Sequence, residues 1–209
     1  MKIKTVRHGC GISLVDGTGV KKELNFMNVA FKEWAVVCEA LGSGRQSVIL
    51  RKGGIAEGRE GFAFKHPEFF LFPTWFHEQL EKTTLPGTTV LPPQIEGEIE
   101  IRFAAILEWS HLVTDAALLP ALRGFHILAD SVVEERFHYD DTPGLHVGFV
   151  RVFRLNPPCR LPMRKSFAGC RSWIDLPDIE EAPLVSTLSD EEHIRRRESL
   201  AKILGRSAA

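Results

Sequence analysis

The stretch Val48–Thr74, VILRKGGIAEGREGFAFKHPEFFLFPT, decides how the chain is read. Two short apolar runs, Val48–Leu50 and Phe69–Phe72, bracket a segment rich in glycine and charge. Runs this short, apolar on both faces and bounded by turn formers, read as strands buried in a sheet. The first run leads into Arg51-Lys52-Gly53-Gly54 and the second into Phe72-Pro73-Thr74. Pro73 holds Phe72 extended and has no N–H to give to a ladder, so the second strand ends there. The two strands therefore present a cationic, glycine-permissive loop, and a glycine pair after a strand can turn backbone N–H groups towards an anion.

Upstream, Phe31–Leu41 places Trp34, Val36, Cys38 and Ala40 on one face and Ala35, Val37, Glu39 and Leu41 on the other, which reads as a strand. Gly42-Ser43-Gly44 then offers a hairpin turn and Arg45–Lys52 the returning strand. Downstream, Thr74 is placed to cap a short helix, Trp75–Lys82, with Glu78 in its first turn. Glu98–Leu107 alternates cleanly, with Ile99, Ile101, Phe103, Ala105 and Leu107 on one face and Glu98, Glu100 and Arg102 on the other. A helical stretch from Asp115, broken by Pro120 and Gly124, is followed by a second helix from about Asp130 to Phe137. Leu145–Leu155 is the next strand, and a short one follows around Trp173-Ile174. Ser189 and Glu192 form a capping box for a C-terminal helix that Gly205 stops. The fold class expected is α+β: a mixed, mostly antiparallel sheet with short helices and a C-terminal helix. Residues 1–30 read as an N-terminal arm or extra hairpin, 31–176 as the core domain, 177–188 as an acidic linker and 189–205 as the terminal helix.

The 209 residues carry 26 Lys and Arg against 27 Asp and Glu, a net charge of −1, which excludes a globally basic nucleic-acid binder but not a local basic face. No apolar run approaches the roughly 20 residues of a membrane helix, so no membrane partner is expected. The four cysteines form no CxxC pair, and with no secretory leader legible the expected setting is cytoplasmic. His126, His138 and His146 are scattered without ligand spacing, so neither a metal nor any other cofactor is expected.

The charge is distributed unevenly. From Thr142 to Ile174 the chain carries Arg151, Arg154, Arg160, Arg164, Lys165 and Arg171 and no acidic residue, with Phe149, Phe153, Phe167 and Trp173 interleaved. Guanidinium groups suit phosphates and ring faces suit bases, so this segment points to DNA or RNA. The competing reading pairs these arginines with Glu98, Glu100 or the acidic tail. On the first reading Arg51, Lys52, Gly53, Gly54, Arg151, Arg154 and Arg171 contact phosphates and Trp173 is available for stacking. An arginine on a core strand otherwise needs a carboxylate, and a Glu39–arginine pair would answer that structurally.

An enzyme is the alternative: a phosphate-ester hydrolase or nuclease using Lys52, His66, His77 and Glu78, if one cleft gathers them. Two motif tests count against it. Leu50 stands where a restriction-type nuclease would place a carboxylate two residues before Lys52, and Arg51-Lys52-Gly53-Gly54 lacks the spacing of a Walker loop. A third reading is a structural module that pairs with a second copy or a partner chain through the C-terminal helix.

At Phe31–Leu41, Leu50-Arg51-Lys52-Gly53-Gly54-Ile55 and Phe70-Leu71-Phe72-Pro73-Thr74 the chain resembles the family catalogued as domain of unknown function 1802. Glu135-Arg136-Phe137, Arg151-Val152-Phe153-Arg154-Leu155 and Gly169-Cys170-Arg171-Ser172-Trp173 extend the resemblance. It implies no particular chemistry. Some members are joined to an Mrr-like restriction endonuclease domain, which implies a link to restriction of foreign DNA. The family often has Tyr-Glu-His-Gln after Pro-Thr, where this chain has Trp75-Phe76-His77-Glu78-Gln79.

Overall fold

A computed structural model describes residues 10–15, 21–26, 28–52, 62–179 and 182–206. Gly53 and Gly54 lie outside the described residues. The fold is α+β, with a seven-stranded, mostly antiparallel sheet. In chain order the strands are β1 (Cys10–Val15), β2 (Lys21–Phe26), β3 (Val29–Trp34), β4 (Val48–Arg51), β5 (Glu68–Thr74), β6 (Glu98–Val113), β7 (Leu145–Pro162), β8 (Trp173–Asp175) and β9 (Leu184–Ser186). Helices α1 (Ala35–Gly42), α2 (Asp130–Phe137) and α3 (Asp190–Ile203) are joined by 3-10 helices at Ala116–Phe125 and Lys165–Phe167. The main sheet runs β4-β7-β6-β5-β3-β8, with β9 also on β7, while β1 and β2 pair antiparallel as a separate two-stranded sheet.

β6 and β7 are the frame. They pair antiparallel along most of their length, from Glu98↔Pro162 to Val113↔Leu145, with irregularities between Ile101 and Phe103 and between Leu107 and Trp109. Both run further than alternation alone indicates, because cross-strand pairing continues past the point where either strand stops alternating. The outer edge of β7 is shared: β4 takes its first part, Val48↔Phe149 to Arg51↔His146, and β9 its later part, Phe153↔Ser186 to Leu155↔Leu184. Thus Leu184–Ser186, inside the stretch expected to be a linker, is a strand of the sheet. β3 and β5 make the parallel pairing, Ala30↔Phe70 to Trp34↔Thr74.

The strand expected over Phe31–Leu41 ends at Trp34, and Ala35–Gly42 is helix α1. Seven of its eight residues are buried, and a segment apolar on every side gives no period that separates strand from helix. Tertiary contacts decide instead. The Gln79 side-chain oxygen accepts the Val36 N–H at 3.0 Å, satisfying a first-turn amide that has no partner within the helix. Gly42-Ser43-Gly44 ends the helix rather than turning a hairpin, with Gly44 at φ 71°, and β4 pairs with β7 rather than with β3. The helix expected over Trp75–Lys82 is a run of turns. Thr74 closes β5, and its hydroxyl donates to the Glu33 carbonyl at 3.0 Å instead of capping a helix. The stretch after Asp115 forms as a 3-10 helix, with the Asp115 carboxylate accepting from Ala117 N–H at 2.9 Å. Helix α3 begins as its capping box indicates, Ser189 Oγ accepting from Glu192 N–H at 3.2 Å.

Phe69, Phe70, Leu71 and Phe72 are all buried, so β5 is covered on both faces, as a central strand requires. One apolar cluster lies beneath the helices and includes Val36, Leu41, Phe103, Phe149, Leu122, Val133 and Leu200. The other includes Phe70, Phe72, Ile99, Phe153, Phe167 and Ile174. Each fully buried phenylalanine contributes about 2–3 kcal/mol of transfer free energy, so the twin clusters dominate the stability of the sheet. The sheet is bridged across its breadth: Arg51 of the edge strand β4 donates from Nη2 to the Lys32 carbonyl of β3 at 2.5 Å. Phe62 and Phe64 pack against Phe31.

Candidate nucleic-acid interface

The basic side chains singled out by sequence fall into two groups. Arg51 of β4, Lys52 just after it, and Arg151 and Arg154 of β7 are held by internal contacts. Besides its bond to Lys32, Arg51 lies 4.9 Å over the Phe31 ring. Lys52 donates to the Thr142 carbonyl and pairs with Asp140 at 3.0 Å. Arg151 is bonded to Asp190 at the start of α3. Arg154 donates to the Gly42 carbonyl at 3.1 Å and lies 5.1 Å over Phe103, though much of it stays exposed. The expected Glu39–arginine pair is made with Arg102 of β6, at 2.9 Å. It joins helix α1 to the sheet rather than lying within the sheet. Burial raises the Glu39 carboxyl above its ordinary pKa while Arg102 and Arg154 pull it back.

The second group lies at the end of β7, with Arg160, and on the connection from β7 to β8, with Arg164, Lys165 and Arg171. Arg160, Arg164, Lys165 and Arg171 are all exposed. This connection is fixed from below. Phe167 is 3% exposed and packs edge-on to Phe72 of β5, with centroids 5.4 Å apart. Lys32 of β3 reaches up and donates from Nζ to the Gly169 carbonyl at 2.9 Å. Burial lowers the Lys32 pKa, and the nearby Arg171 charge lowers it further. Two cations thus lie close enough to repel at this turn. The register sets Glu100 opposite Arg160, so one carboxylate does border the face.

Trp173 is half-buried. Its ring meets Phe31, Phe69 and His66 edge-on at 4.9, 5.1 and 4.9 Å, and its indole N–H donates to the Ala63 carbonyl at 3.3 Å. The ring is therefore part of the aromatic packing around Phe31.

Lys52, His66, His77 and Glu78 do not share a cleft. His66 precedes β5, whereas His77 and Glu78 follow it, exposed, at the other end. Seven extended residues at roughly 3.3 Å each put more than about 20 Å between them. Burial lowers the His66 pKa, with Lys65 adding to the effect and Asp175 opposing it. Among the described residues no group of three or more His, Cys, Asp and Glu is arranged to hold a metal ion. No helix there is long and apolar enough to cross a membrane.

Sequence reasoning missed a buried polar knot where β3, β4 and α2 meet. Glu33 is 1% exposed and accepts the Trp34 N–H at 2.8 Å. Arg136 donates to the Leu50 carbonyl at 2.7 Å and lies 4.7 Å over Trp34. Burial pulls the Arg136 pKa down to about 10, with the Glu33 charge opposing that fall. A charged residue inside an apolar strand was the available signal, as Lys32-Glu33 is within Phe31–Leu41. Its partners lie too far along the chain to be read from it.

Among solved structures, the chain is similar to the ASCH protein of Zymomonas mobilis, ZmASCH, at 13% identity and a TM-score of 0.43, covering 82% of this chain and 94% of that one. A single-substitution variant of ZmASCH gives 14% identity and a TM-score of 0.44, over 82% and 96% of the two chains. No curated protein matches the chain significantly. The profile of the family described as domain of unknown function DUF1802 matches residues 30–199, most of the chain, and the protein belongs to that family.

Proposed function

We propose that this domain is a nucleic-acid-binding recognition module whose contact surface is the basic connection between β7 and β8. The observation that carries this reading is the exposed set Arg160, Arg164, Lys165 and Arg171, in a segment that has no acidic residue from Thr142 to Ile174 and is tied to the sheet by the Lys32 bond to the Gly169 carbonyl. Exposed guanidinium groups with no carboxylate in their own segment suit phosphates. Arg160, Arg164 and Lys165 extend the same segment, and its anchor at Phe167 means that little ordering entropy is lost on binding. Of the side chains expected to reach phosphates, Arg171 and Arg154 keep exposed surface. Arg51, Lys52 and Arg151 would have to leave the contacts they make in the fold. For the biological setting we infer the recognition side of restriction of foreign DNA, on the resemblance to family members joined to Mrr-like nuclease domains.

Fluorescence anisotropy with single- and double-stranded DNA and RNA oligonucleotides, over a range of salt, tests the reading. Three or four phosphate contacts to a single strand give a slope of about −2 to −3 in log affinity against log salt. Arg164→Glu combined with Arg171→Glu should weaken binding at least about tenfold at low salt, with no change in the unfolding midpoint. Binding that ignores salt, or that survives the double reversal, refutes the reading.

A further inference from the structure

We propose that residues 184–190 form an autoinhibitory strap, in which the Asp190 carboxylate occupies Arg151 in place of a nucleic-acid phosphate, a control that rests on the nucleic-acid reading above. The strap is fastened along the outer edge of β7. β9 pairs with that edge from Phe153↔Ser186 to Leu155↔Leu184. Thr187 then donates from its N–H and its hydroxyl to the Val152 carbonyl, at 3.0 and 3.1 Å. Ser186 Oγ donates to the Leu188 carbonyl at 2.7 Å, and Ser189 caps α3. These bonds carry the chain up to Asp190 and set its carboxylate on Arg151, to which it is bonded.

The pair is built to open. Asp190 engages one guanidinium nitrogen, Nη2, and the Arg151 and Asp190 side chains are 28% and 50% exposed. An ion pair this wet contributes little to folding, and a phosphate can take both ends of the guanidinium fork. Glu108, the other carboxylate on which the Arg151 charge acts, is already held by His193 at 2.7 Å and Arg197 at 3.4 Å. Asp190 is therefore the carboxylate that decides whether Arg151 is available. On the same turn of α3, Glu192 is bonded to Arg195 and Arg196, while Glu191 is exposed and bonded to nothing among the described residues. Arg151 lies 5.7 Å from the ring of Phe153, two residues on and on the same face of β7. Phe153 belongs to the apolar cluster that includes Phe167, the anchor of the β7–β8 connection. Arg151 thus faces the side of the sheet that carries the connection.

The stretch of β7 from Arg151 to Arg160 spans roughly 30 Å at about 3.3 Å per residue, so the probe is a fluorescent oligo(dT) of about 16 nucleotides. Its anisotropy is followed with the full chain over a range of salt. Asp190→Asn should tighten binding about fivefold at low salt. It should also steepen the slope of log affinity against log salt by about 0.7, the signature of one further phosphate contact on a single strand. Adding Arg151→Gln to that variant should return both values to those of the wild type. Glu191→Gln, which removes the same charge one residue away, should change affinity less than about twofold and leave the slope alone. The strap is refuted, with the nucleic-acid reading intact, if the wild type binds and Asp190→Asn changes neither value. It is equally refuted if Glu191→Gln reproduces the gain, or if the gain survives Arg151→Gln. No binding by wild type or Asp190→Asn at any salt refutes strap and reading together. Binding by Asp190→Asn alone supports the strap.

Discussion

Acid should weaken the fold through His126, in a window set by the burial of its ring. Burial pushes its pKa down to about 4; Asp130 opposes this, while Arg136 and Arg123 reinforce it. In the unfolded chain a histidine titrates near about 6.5. The unfolded state therefore takes up the proton first, so stability is lost as pH falls from about 6.5 towards about 4. The gap between the two pKa values corresponds to about 3 kcal/mol, of which about 2 kcal/mol is lost between about pH 7 and about pH 5. Other groups also titrate in acid, so the measurement is a comparison with His126→Phe. That variant keeps an aromatic ring but removes the titration. It also leaves Leu128 N–H without its acceptor, a penalty that does not vary with pH. Urea unfolding of both proteins across the range should show the wild-type advantage shrinking by about 2 kcal/mol from about pH 7 to about pH 5. Parallel curves would mean that the ring protonates as readily folded as unfolded. That would refute its placement as a buried, neutral ring.

Three further outcomes follow from packing and pairing. Gly42 closes α1 against β6, and a Cβ there would come within 2.1 Å of the ring of Phe103, which is 2% exposed. Gly42→Ala should cost about 2–3 kcal/mol in denaturant unfolding, and a change below about 0.5 kcal/mol would contradict that contact. Glu108 holds α3 through His193, at 2.7 Å, and Arg197, at 3.4 Å. Burial works to raise the Glu108 carboxyl, but the His193 bond and the His193 and Arg197 charges outweigh it and leave the pKa below the ordinary glutamate value. This stability is present above the ordinary carboxylate pKa and is lost as pH falls through the lowered one. Glu108→Gln should therefore speed amide hydrogen exchange in α3 near neutral pH, and unchanged protection would show that the pair does not hold the helix. Finally, Phe167→Ala should cost about 3 kcal/mol and loosen the β7–β8 connection, read as faster exchange than in wild type at Ala168, whose N–H donates to the Lys165 carbonyl. Unchanged exchange there would mean that Phe167 does not anchor the basic segment.

The sequence by itself determined what depends on near neighbours. Phe69–Phe72 had to be a buried strand, Glu98–Leu107 had to alternate, and Ser189 with Glu192 had to start a helix, because each signal lies within a few residues. The α+β class and the acid-free basic segment were legible for the same reason. Tertiary structure decided everything that depends on which segments meet. Ala35–Gly42, apolar except at Glu39, is a helix packed on the sheet, with its first-turn Val36 amide received by Gln79. Whether an arginine faces solvent or a partner was set by residues far along the chain: Asp190 for Arg151, Asp140 for Lys52 and the Gly42 carbonyl for Arg154. His66 and His77, close in sequence, were separated because an extended strand lies between them. His126 looked isolated in the sequence, and only the tertiary fold buried its ring and gave Nδ1 the Leu128 amide. Local patterns fix periodicity and capping; long-range contacts fix burial, and burial decides which charges and rings remain available to a ligand.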